Sequence, residues 1–255
     1  MTLPGIWITK LVDGPQGRRL AVKDLFDTAG VRTTYGSAVF ADHVPDRTAA
    51  AVVALEAAGW IDVGKANLHE FAYGITSHNP HFGDVPNPRF PDRVAGGSSG
   101  GSAAALVVGE ADLGLGTDTG GSIRIPAACC EVTGFKPSFG LVSLEGCLPL
   151  APSFDHAGPL ADDVAGCADA MAVLAGLHPR TVGSLEDLVV GVAWLEHAEP
   201  AVRGRVEAAG LLLPNRRELD LPLPEGCRPP SSARSPTCIA PCSTATASAT
   251  GPTST

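Results

Sequence analysis

The sequence predicts an α/β layered fold built around a mixed or parallel sheet. One reason is the alternation of predicted strands and helices along the chain. A second is composition, because 44% of the 255 residues are hydrophobic and only 18% are charged, which is enough apolar material for a buried core. Aromatic residues make up only 5%, so Ala, Val, Leu and Ile are expected to form most of that core.

Turn residues, caps and apolar spacing define the elements of the N-terminal part. They predict, in order, a turn at Asp13-Gly14-Pro15, a strand over residues 19–22, a helix capped by Asp46, a strand over residues 60–63 and a short helix over residues 67–73. In the first of these helices Val52, Val53 and Leu55 are expected to share one side, and Gly59 is expected to end it. Asp62 interrupts a strand that is expected to be buried, where an unpaired carboxylate is costly.

Glycine, proline and acidic caps divide the rest of the chain in the same way. They predict a loop with four prolines over residues 78–94, helices over 102–108 and 122–130 with a strand over 111–116 between them, and finally a strand over 189–194 and a helix over 200–209. Gly109 is expected to end the first of these helices, and Pro126 fits the first turns of the second. Asp162 or Asp163 is expected to cap a further helix, with one face formed by Val164, Cys167, Ala168, Met171 and Leu174.

Charge and the lack of long apolar runs argue against several classes of function. The formal net charge of −9 lacks the basic footprint of a bare nucleic-acid binder. The first residues show no signal-peptide pattern and no run has the length of a membrane span, so a cytoplasmic protein without a membrane partner is expected. The seven cysteines lack metal-ligand spacing and are expected to be reduced thiols. His69, His78 and His81 miss the H-E-x-x-H spacing, so no metal site is expected.

The last 28 residues, 228–255, differ from everything before them. Twenty-two of them are Ser, Thr, Pro or Ala, and none is Asp or Glu. Such a segment buries too little apolar surface to offset its ordering entropy. We therefore expect one incomplete domain over residues 1–227, followed by a disordered or out-of-frame end over residues 228–255.

Two segments rich in glycine and serine, residues 96–102 and 116–124, are the main candidates for chemistry. Each leads into a predicted helix, where backbone N–H groups and the helix dipole can hold negative charge. A flexible loop, a phosphate site and an oxyanion hole all fit that arrangement, but neither segment has a P-loop ending or the dinucleotide fingerprint. Ser122 would fit a nucleophile, and Lys23 at the end of an apolar strand would fit its base, because burial disfavours the ammonium.

A competing pattern is the G-x-S-x-G elbow, which would make Ser99 the nucleophile. That elbow must follow a strand. Residues 88–94 contain two prolines and make a poor strand, so the elbow is the weaker interpretation.

Five ordered blocks of sequence together resemble the amidase signature family. They are Ala21-Val22-Lys23-Asp24, Gly64-Lys65-Ala66-Asn67 through Glu70-Phe71, residues 94–105, residues 115–124, and Gly134-Phe135-Lys136-Pro137. The resemblance runs from residue 19 to residue 225 in matching order and spacing. It implies an incomplete amidase-signature-like fold, in which helices cover both faces of a mixed central sheet.

The resemblance also implies a Ser–cis-Ser–Lys triad. Lys23 matches the base, Ser98 the bridging serine that follows a cis peptide bond, and Ser122 the nucleophile. The implied oxyanion-hole donors are the backbone N–H groups of Thr119, Gly120, Gly121 and Ser122. The implied reaction is hydrolysis of a carboxamide to a carboxylate and ammonia or an amine through an acyl-enzyme, with no metal or organic cofactor.

Several neighbours of the triad are expected to have structural roles. Asp118 and Arg124 flank the proposed nucleophile and are expected to hold its loop by hydrogen bonds. Lys65 and Lys136 match family blocks outside the triad and are expected to be structural, and the adjacent thiols at residues 129–130 are expected to be small core residues.

The chain is shorter than family members, whose C-terminal half supplies more of the sheet and part of the substrate pocket. The alternatives to an amidase are therefore the glutaminase subunit of a tRNA-dependent amidotransferase, an inactive truncated remnant, and a nucleotide-binding module. The expected substrate is a small-molecule amide. The expected protein partners are a second copy of the chain or the other subunits of an amidotransferase.

Overall fold

The computed structural model describes residues 3–11, 17–178 and 183–222. Close contacts divide the chain into two units, Met1–Arg180 and Thr181–Thr255. The predicted turn at residues 13–15 and the segment 228–255 lie outside the described residues, so the boundary between residues 227 and 228 stays a prediction.

The first unit contains a six-stranded sheet. Its strands are β1 (Trp7–Lys10), β2 (Arg18–Lys23), β3 (Trp60–Ala66), β4 (Leu113–Asp118), β5 (Thr133–Gly134) and β6 (His156–Ala161). They lie in the order β1-β3-β2-β4-β6-β5. The three central strands β3, β2 and β4 are parallel to each other, whereas β1, β6 and β5 pair antiparallel to their neighbours. The predicted mixed sheet is therefore confirmed.

Helices cover both faces of this sheet, as expected. They are α1 (Ala50–Ala57), α2 (Gly100–Val107), α3 (Arg124–Cys130) and α4 (Val164–Ala175). Leu20 and Val22 of β2 pack in one cluster with α1 and α4, whereas the intervening Ala21 packs in a second cluster with α2 and α3. This alternation follows from the period of two along a strand, and it places the central strands between two apolar layers.

Two predicted helix starts are wrong. The first helix begins at Ala50 without a side-chain cap from Asp46, and Val53 is 49% exposed while its neighbour Val52 is buried. The helix expected from residue 122 begins at Arg124, because the Asp118 carboxylate accepts N–H groups of the preceding loop.

The short helix expected over residues 67–73 is reduced to a single 3₁₀ turn at Glu70–Ala72. Phe71 and Ala72 have positive φ, which an α-helix does not tolerate. At α4 the cap is confirmed, since the Asp163 side chain accepts the Gly166 N–H. Val164 is nevertheless exposed and does not belong to the buried face.

Asp62 lies in β3 as predicted, and its carboxylate is only partly hydrogen-bonded, which makes its burial unfavourable. One carboxylate oxygen accepts the Gly64 N–H, and the other has no hydrogen-bond partner among the described residues. Burial raises the pKa of Asp62 to about 6, although the Gly64 N–H and the Lys65 ammonium oppose the shift.

The second unit is smaller. It contains the parallel strands β7 (Val190–Val192) and β8 (Arg216–Glu218), and the helix α5 (Pro200–Gly210), whose first residue is the proline that the sequence predicts. The strand expected over residues 189–194 is shorter because Trp194 adopts a left-handed conformation. Across the described residues of both units, no helix has the length and apolar character needed to cross a membrane.

Candidate active site

Lys23 is the last residue of β2, at the edge of the sheet where the parallel strands β2 and β4 both end. Its side chain is fully buried, and its Nζ lies 2.7 Å from Ser98 Oγ and 2.7 Å from Thr117 Oγ1. Within the described residues it makes no ion pair with a carboxylate. Burial lowers the pKa of Lys23 to about 7, although the negative charges of Asp118 and Asp155 oppose that shift.

The loop that carries Ser98 precedes α2 and is held in place by Ser77. The Gly97–Ser98 peptide bond is cis, as the family resemblance implies. Ser77 Oγ donates to the Ser98 carbonyl at 3.3 Å and accepts the Gly100 N–H at 3.1 Å. A side chain at residue 97 would place its Cβ 2.7 Å from the Ser77 nitrogen, so only glycine fits there.

Ser99 does not take part in a nucleophile elbow. No strand precedes it, and its hydroxyl donates to the Thr117 carbonyl at 3.2 Å and accepts the Thr117 N–H at 3.3 Å. These bonds connect the start of α2 to β4, so the Ser99 hydroxyl has a structural role.

Ser122 lies in the loop between β4 and α3 and is 5% exposed. Its carbonyl accepts the Ser99 N–H at 3.2 Å, which joins this loop directly to the loop that carries Ser98. Its hydroxyl has no hydrogen-bond partner among the described residues. The structure thus brings the loops of the two predicted serines together at the buried lysine.

Asp118 organises the loop before Ser122, as the sequence predicts. Its carboxylate accepts the N–H groups of Gly121 and Ile123 and pairs with the Arg124 guanidinium, whose nitrogens lie 3.0 and 2.9 Å away. Burial raises the pKa of Asp118, but the hydrogen bonds from Arg124, Ile123 and Gly121 outweigh it and bring the pKa below its ordinary value. The carboxylate therefore stays charged and fixes the loop.

The Asp118 carboxylate also reduces the number of backbone N–H groups in this loop that lack an acceptor within the protein. The Gly121 N–H donates to Asp118 at 2.8 Å, so it is already used within the protein. The N–H groups of Thr119, Gly120 and Ser122 have no acceptor among the described residues. Of the four predicted donors, three therefore have no acceptor within the described part of the protein.

Two residues near the site were not found from the sequence. Ser77 was missed because it lies in a loop without hydrophobic periodicity, although its side chain holds the distant Ser98 loop. Asp155 is buried ahead of β6, where it accepts the Thr119 hydroxyl at 2.5 Å and the N–H groups of Leu150 and Ala151. Neither residue lies in a motif, and both act across distant segments, so no local signal could have found them.

A cavity of about 260 Å³ opens beside Thr117 and Thr119. Its other described lining residues are mainly apolar: Leu25, Leu144, Cys147, Leu148, Pro149, Leu150, Pro152 and Asp155.

The remaining candidates have structural partners. Lys65 is fully buried and donates to the Phe26 carbonyl and to Thr33 Oγ1, 2.9 Å away, while Asp24 lies 3.6 Å from its Nζ. No group of three or more metal-binding side chains occurs within the described ranges, which include the three histidines considered above. Cys130 is buried in the core as predicted, whereas Cys129 is only half-buried.

Comparisons with known proteins agree with the family resemblance seen in the sequence. Residues 17–200, more than half of the chain, match the family model named Amidase. The chain is 52% identical to a Glutamyl-tRNA(Gln) amidotransferase subunit from Haloarcula marismortui, over 64% of this chain and 39% of that protein. It is 44% identical to the AtzE subunit of the 1-carboxybiuret hydrolase from Pseudomonas sp., over 77% of this chain and 47% of that one.

A solved amidase structure superposes with a TM-score of 0.74 at 44% identity, covering 82% of this chain and 49% of the other. The chain thus spans less than half the length of both curated relatives described above. The matched region includes both glycine- and serine-rich loops and the buried lysine. The chain therefore belongs to the amidase family.

Proposed function

We propose that this protein hydrolyses a carboxamide to a carboxylate and ammonia or an amine, with Ser122 as nucleophile, Ser98 as proton relay and Lys23 as base. The observation that carries the proposal is the 2.7 Å contact between the Nζ of a fully buried lysine and Ser98 Oγ, with no carboxylate of the described residues in ion-pair contact. A lysine in such a site releases its proton near neutral pH and can then accept one.

The proton moves along the three side chains during acylation. Neutral Lys23 takes the proton of the Ser98 hydroxyl while Ser98 takes that of Ser122, and Ser122 Oγ attacks the amide carbon. As the C–N bond breaks, the proton returns through Ser98 to the leaving nitrogen. Water then attacks the acyl-enzyme by the same relay, which releases the acid and restores the Ser122 hydroxyl and the neutral amine.

The negative charge that develops on the carbonyl oxygen needs fixed donors. We assign this role to the N–H groups of Thr119, Gly120 and Ser122, which are free of protein acceptors in the described structure. Gly121 is left out because its N–H is used by Asp118. Losing one such donor in comparable enzymes costs about 100- to 1,000-fold in rate.

A glutaminase role in an amidotransferase is the second candidate, supported by the 52% identity to the amidotransferase relative. It would require partner subunits, whereas a free-standing amidase would act alone or as a dimer. We also propose a cytoplasmic location, which fits the four described cysteines being free thiols. The proposed domain over residues 1–227 contains the whole family match.

A fluorophosphonate probe tests the nucleophile directly. We expect the wild-type protein to be labelled on the peptide that contains Ser122, and labelling to be lost in Ser122→Ala and Lys23→Ala. Ser138→Ala, at an exposed serine, is the matched control and should label like wild type. A chain that is folded by circular dichroism and never labels, or labels at another serine, would support an inactive remnant or a different mechanism instead.

A further inference from the structure

Asp155 is a buried carboxylate near the proposed active site, and it has no cation beside it. It lies directly before β6 and is 5% exposed. Its oxygens accept the Thr119 hydroxyl at 2.5 Å, the Leu150 N–H at 2.9 Å and the Ala151 N–H at 3.0 Å. Within the described residues it forms no ion pair. A buried charge is unfavourable unless hydrogen bonds compensate it, so the groups that Asp155 binds indicate its role.

Thr119 and Asp155 face each other where β4 ends and β6 begins. The two strands are antiparallel, and Asp118 at the end of β4 pairs with His156 at the start of β6. The next pair in this register is Thr119 and Asp155, whose side chains form the 2.5 Å hydrogen bond. The contact is therefore set by the register of the sheet.

Two carboxylates hold the loop of proposed oxyanion donors, one on each side. Asp155 holds Thr119 by its hydroxyl, and Asp118 accepts the Gly121 N–H at 2.8 Å. Between these two points lie the N–H groups of Thr119 and Gly120, which have no acceptor among the described residues. The loop is thus anchored on both sides of the peptide units whose N–H groups lack a protein acceptor.

Packing around Gly120 does not hold this part of the loop. Gly120 is exposed, and a Cβ built on it would meet nothing within 4 Å. An oxyanion donor contributes most when it already points at the place where charge develops, and a displacement of about 1 Å can cost about 100-fold in rate. The fixed direction of these N–H groups therefore depends on the bonds at Thr119 and Gly121.

We propose that Asp155 is a positioning residue for amide hydrolysis, which holds the oxyanion donors of Thr119 and Gly120 in place through the Thr119 hydroxyl. The role rests on the proposed function, because it acts on the proposed oxyanion donors. Asp155 itself touches neither the substrate nor the nucleophile in this role.

The negative charge of Asp155 also acts on Lys23. Burial lowers the pKa of Lys23, and the charges of Asp118 and Asp155 oppose that shift. Asp118 is paired with the Arg124 guanidinium, whereas Asp155 has no such cation within the described part of the chain. Loss of the Asp155 charge should therefore lower the pKa of Lys23 further.

The other titratable groups near Lys23 have little net charge close to neutral pH. Burial raises the pKa of Cys147 to about 12, so its thiol stays protonated. Burial lowers the pKa of His69, so its ring is neutral when Lys23 loses its proton. Asp24 and Lys65 lie 3.6 Å apart and offset each other. A change in the pH dependence of Lys23 in an Asp155 variant therefore reports the Asp155 charge.

The rate of labelling of Ser122 by a fluorophosphonate, measured against pH, tests this role. Asp155→Asn keeps the size of the side chain and removes its charge. We expect kinact to fall about 10- to 100-fold with KI within about threefold of wild type, because the donors act on the transition state. The midpoint of the pH profile should move about half a unit to lower pH, because the amine loses a negative charge beyond ion-pair distance.

Thr119→Val separates the hydrogen bond from the charge. It removes the hydroxyl that Asp155 holds and leaves the carboxylate in place, so kinact should fall about tenfold while the pH midpoint stays within about 0.2 unit. Thr119→Ser restores a hydroxyl and should recover at least about fivefold of that loss. Asp162→Asn is the matched control, at an exposed residue beyond the other end of β6, and should label like wild type.

The outcomes separate this role from the proposed function. Circular dichroism and urea denaturation check that each variant is folded, and the two Thr119 variants decide the question if Asp155→Asn does not fold. Wild-type kinact in folded Thr119→Val, or an unmoved pH midpoint in folded Asp155→Asn, overturns the positioning role and leaves Ser122 as the nucleophile. Absence of Ser122 labelling in folded wild-type protein overturns the proposed function, and the role of Asp155 with it.

Discussion

Two fully buried lysines lie on neighbouring parallel strands and have opposite surroundings. Lys65 of β3 pairs in register with Val22 of β2, one residue before Lys23, so both amines lie in the same part of the sheet. The Nζ of Lys65 is 3.6 Å from the Asp24 carboxylate and also contacts a carbonyl and a threonine hydroxyl. The Nζ of Lys23 contacts two hydroxyls.

Burial lowers the pKa of both lysines, and the difference lies in what opposes it. At Lys65 the Asp24 carboxylate opposes the shift in direct ion-pair contact. At Lys23 the Asp118 and Asp155 carboxylates act only from beyond ion-pair distance, and the pKa falls to about 7. We infer that Lys23 acts as a base because its contacts are hydroxyls, and that Lys65 has a structural role as the partner of the Asp24 carboxyl group.

The largest expected effect separates the two lysines by activity. Lys23→Met removes the base and should lower kcat/KM for a simple amide at least about 1,000-fold, since the relay then has no proton acceptor. The free energy of unfolding should fall by about 1–3 kcal/mol, because the buried Ser98 and Thr117 hydroxyls lose the amine they share. Steady-state hydrolysis and urea denaturation measure the two quantities.

Lys136→Met is the matched control for that variant. Lys136 is partly exposed, and its Nζ contacts only the Pro137 carbonyl among the described residues, so its replacement should leave kcat/KM within about twofold of wild type. Activity of Lys23→Met within about tenfold of wild type would contradict the assignment of the base.

The second expected effect is on stability. Lys65→Met leaves the buried Asp24 carboxylate without its cation, and the free energy of unfolding should fall by about 3–5 kcal/mol. The double variant Asp24→Asn/Lys65→Met should recover at least half of that loss, because the amide is uncharged and still accepts from Thr34. Urea denaturation of wild type and both variants is the measurement, and a loss below about 1 kcal/mol in the single variant would argue against a charged pair.

The two lysines also show how much of the site can be predicted from the sequence. Each ends or follows an apolar strand segment, so strand pattern alone treats them alike, and only the family resemblance separates Lys23 as the base. The contact that distinguishes them in space is the Asp24 carboxylate, which follows Lys23 in the chain yet lies beside Lys65. Sequence adjacency would have assigned this carboxylate to the wrong lysine.

The fold was more predictable than the details of the site. The mixed sheet and its helices follow from local periodicity, which a single segment carries by itself. The start of α3 and the use of the Gly121 N–H depend on which N–H groups the nearby Asp118 carboxylate accepts, and sequence alone does not specify that choice. Side chains that bond across 36 residues, as Asp155 and Thr119 do, leave no periodic trace in the sequence.

The smallest expected effect is a pH dependence that sharpens the contrast between the lysines. The relay needs neutral Lys23, and the pKa of Lys23 is about 7, so kcat/KM should rise with pH and level off above neutrality. Below the pKa the neutral fraction falls tenfold per pH unit, so kcat/KM at pH 6 should be about one tenth of its value at pH 8. Residual activity of Lys23→Met should lack this step, whereas Lys136→Met should keep it. A wild-type profile that is flat between about pH 5.5 and 8.5, or that falls as pH rises through 7, would mean that an amine at residue 23 is not the base.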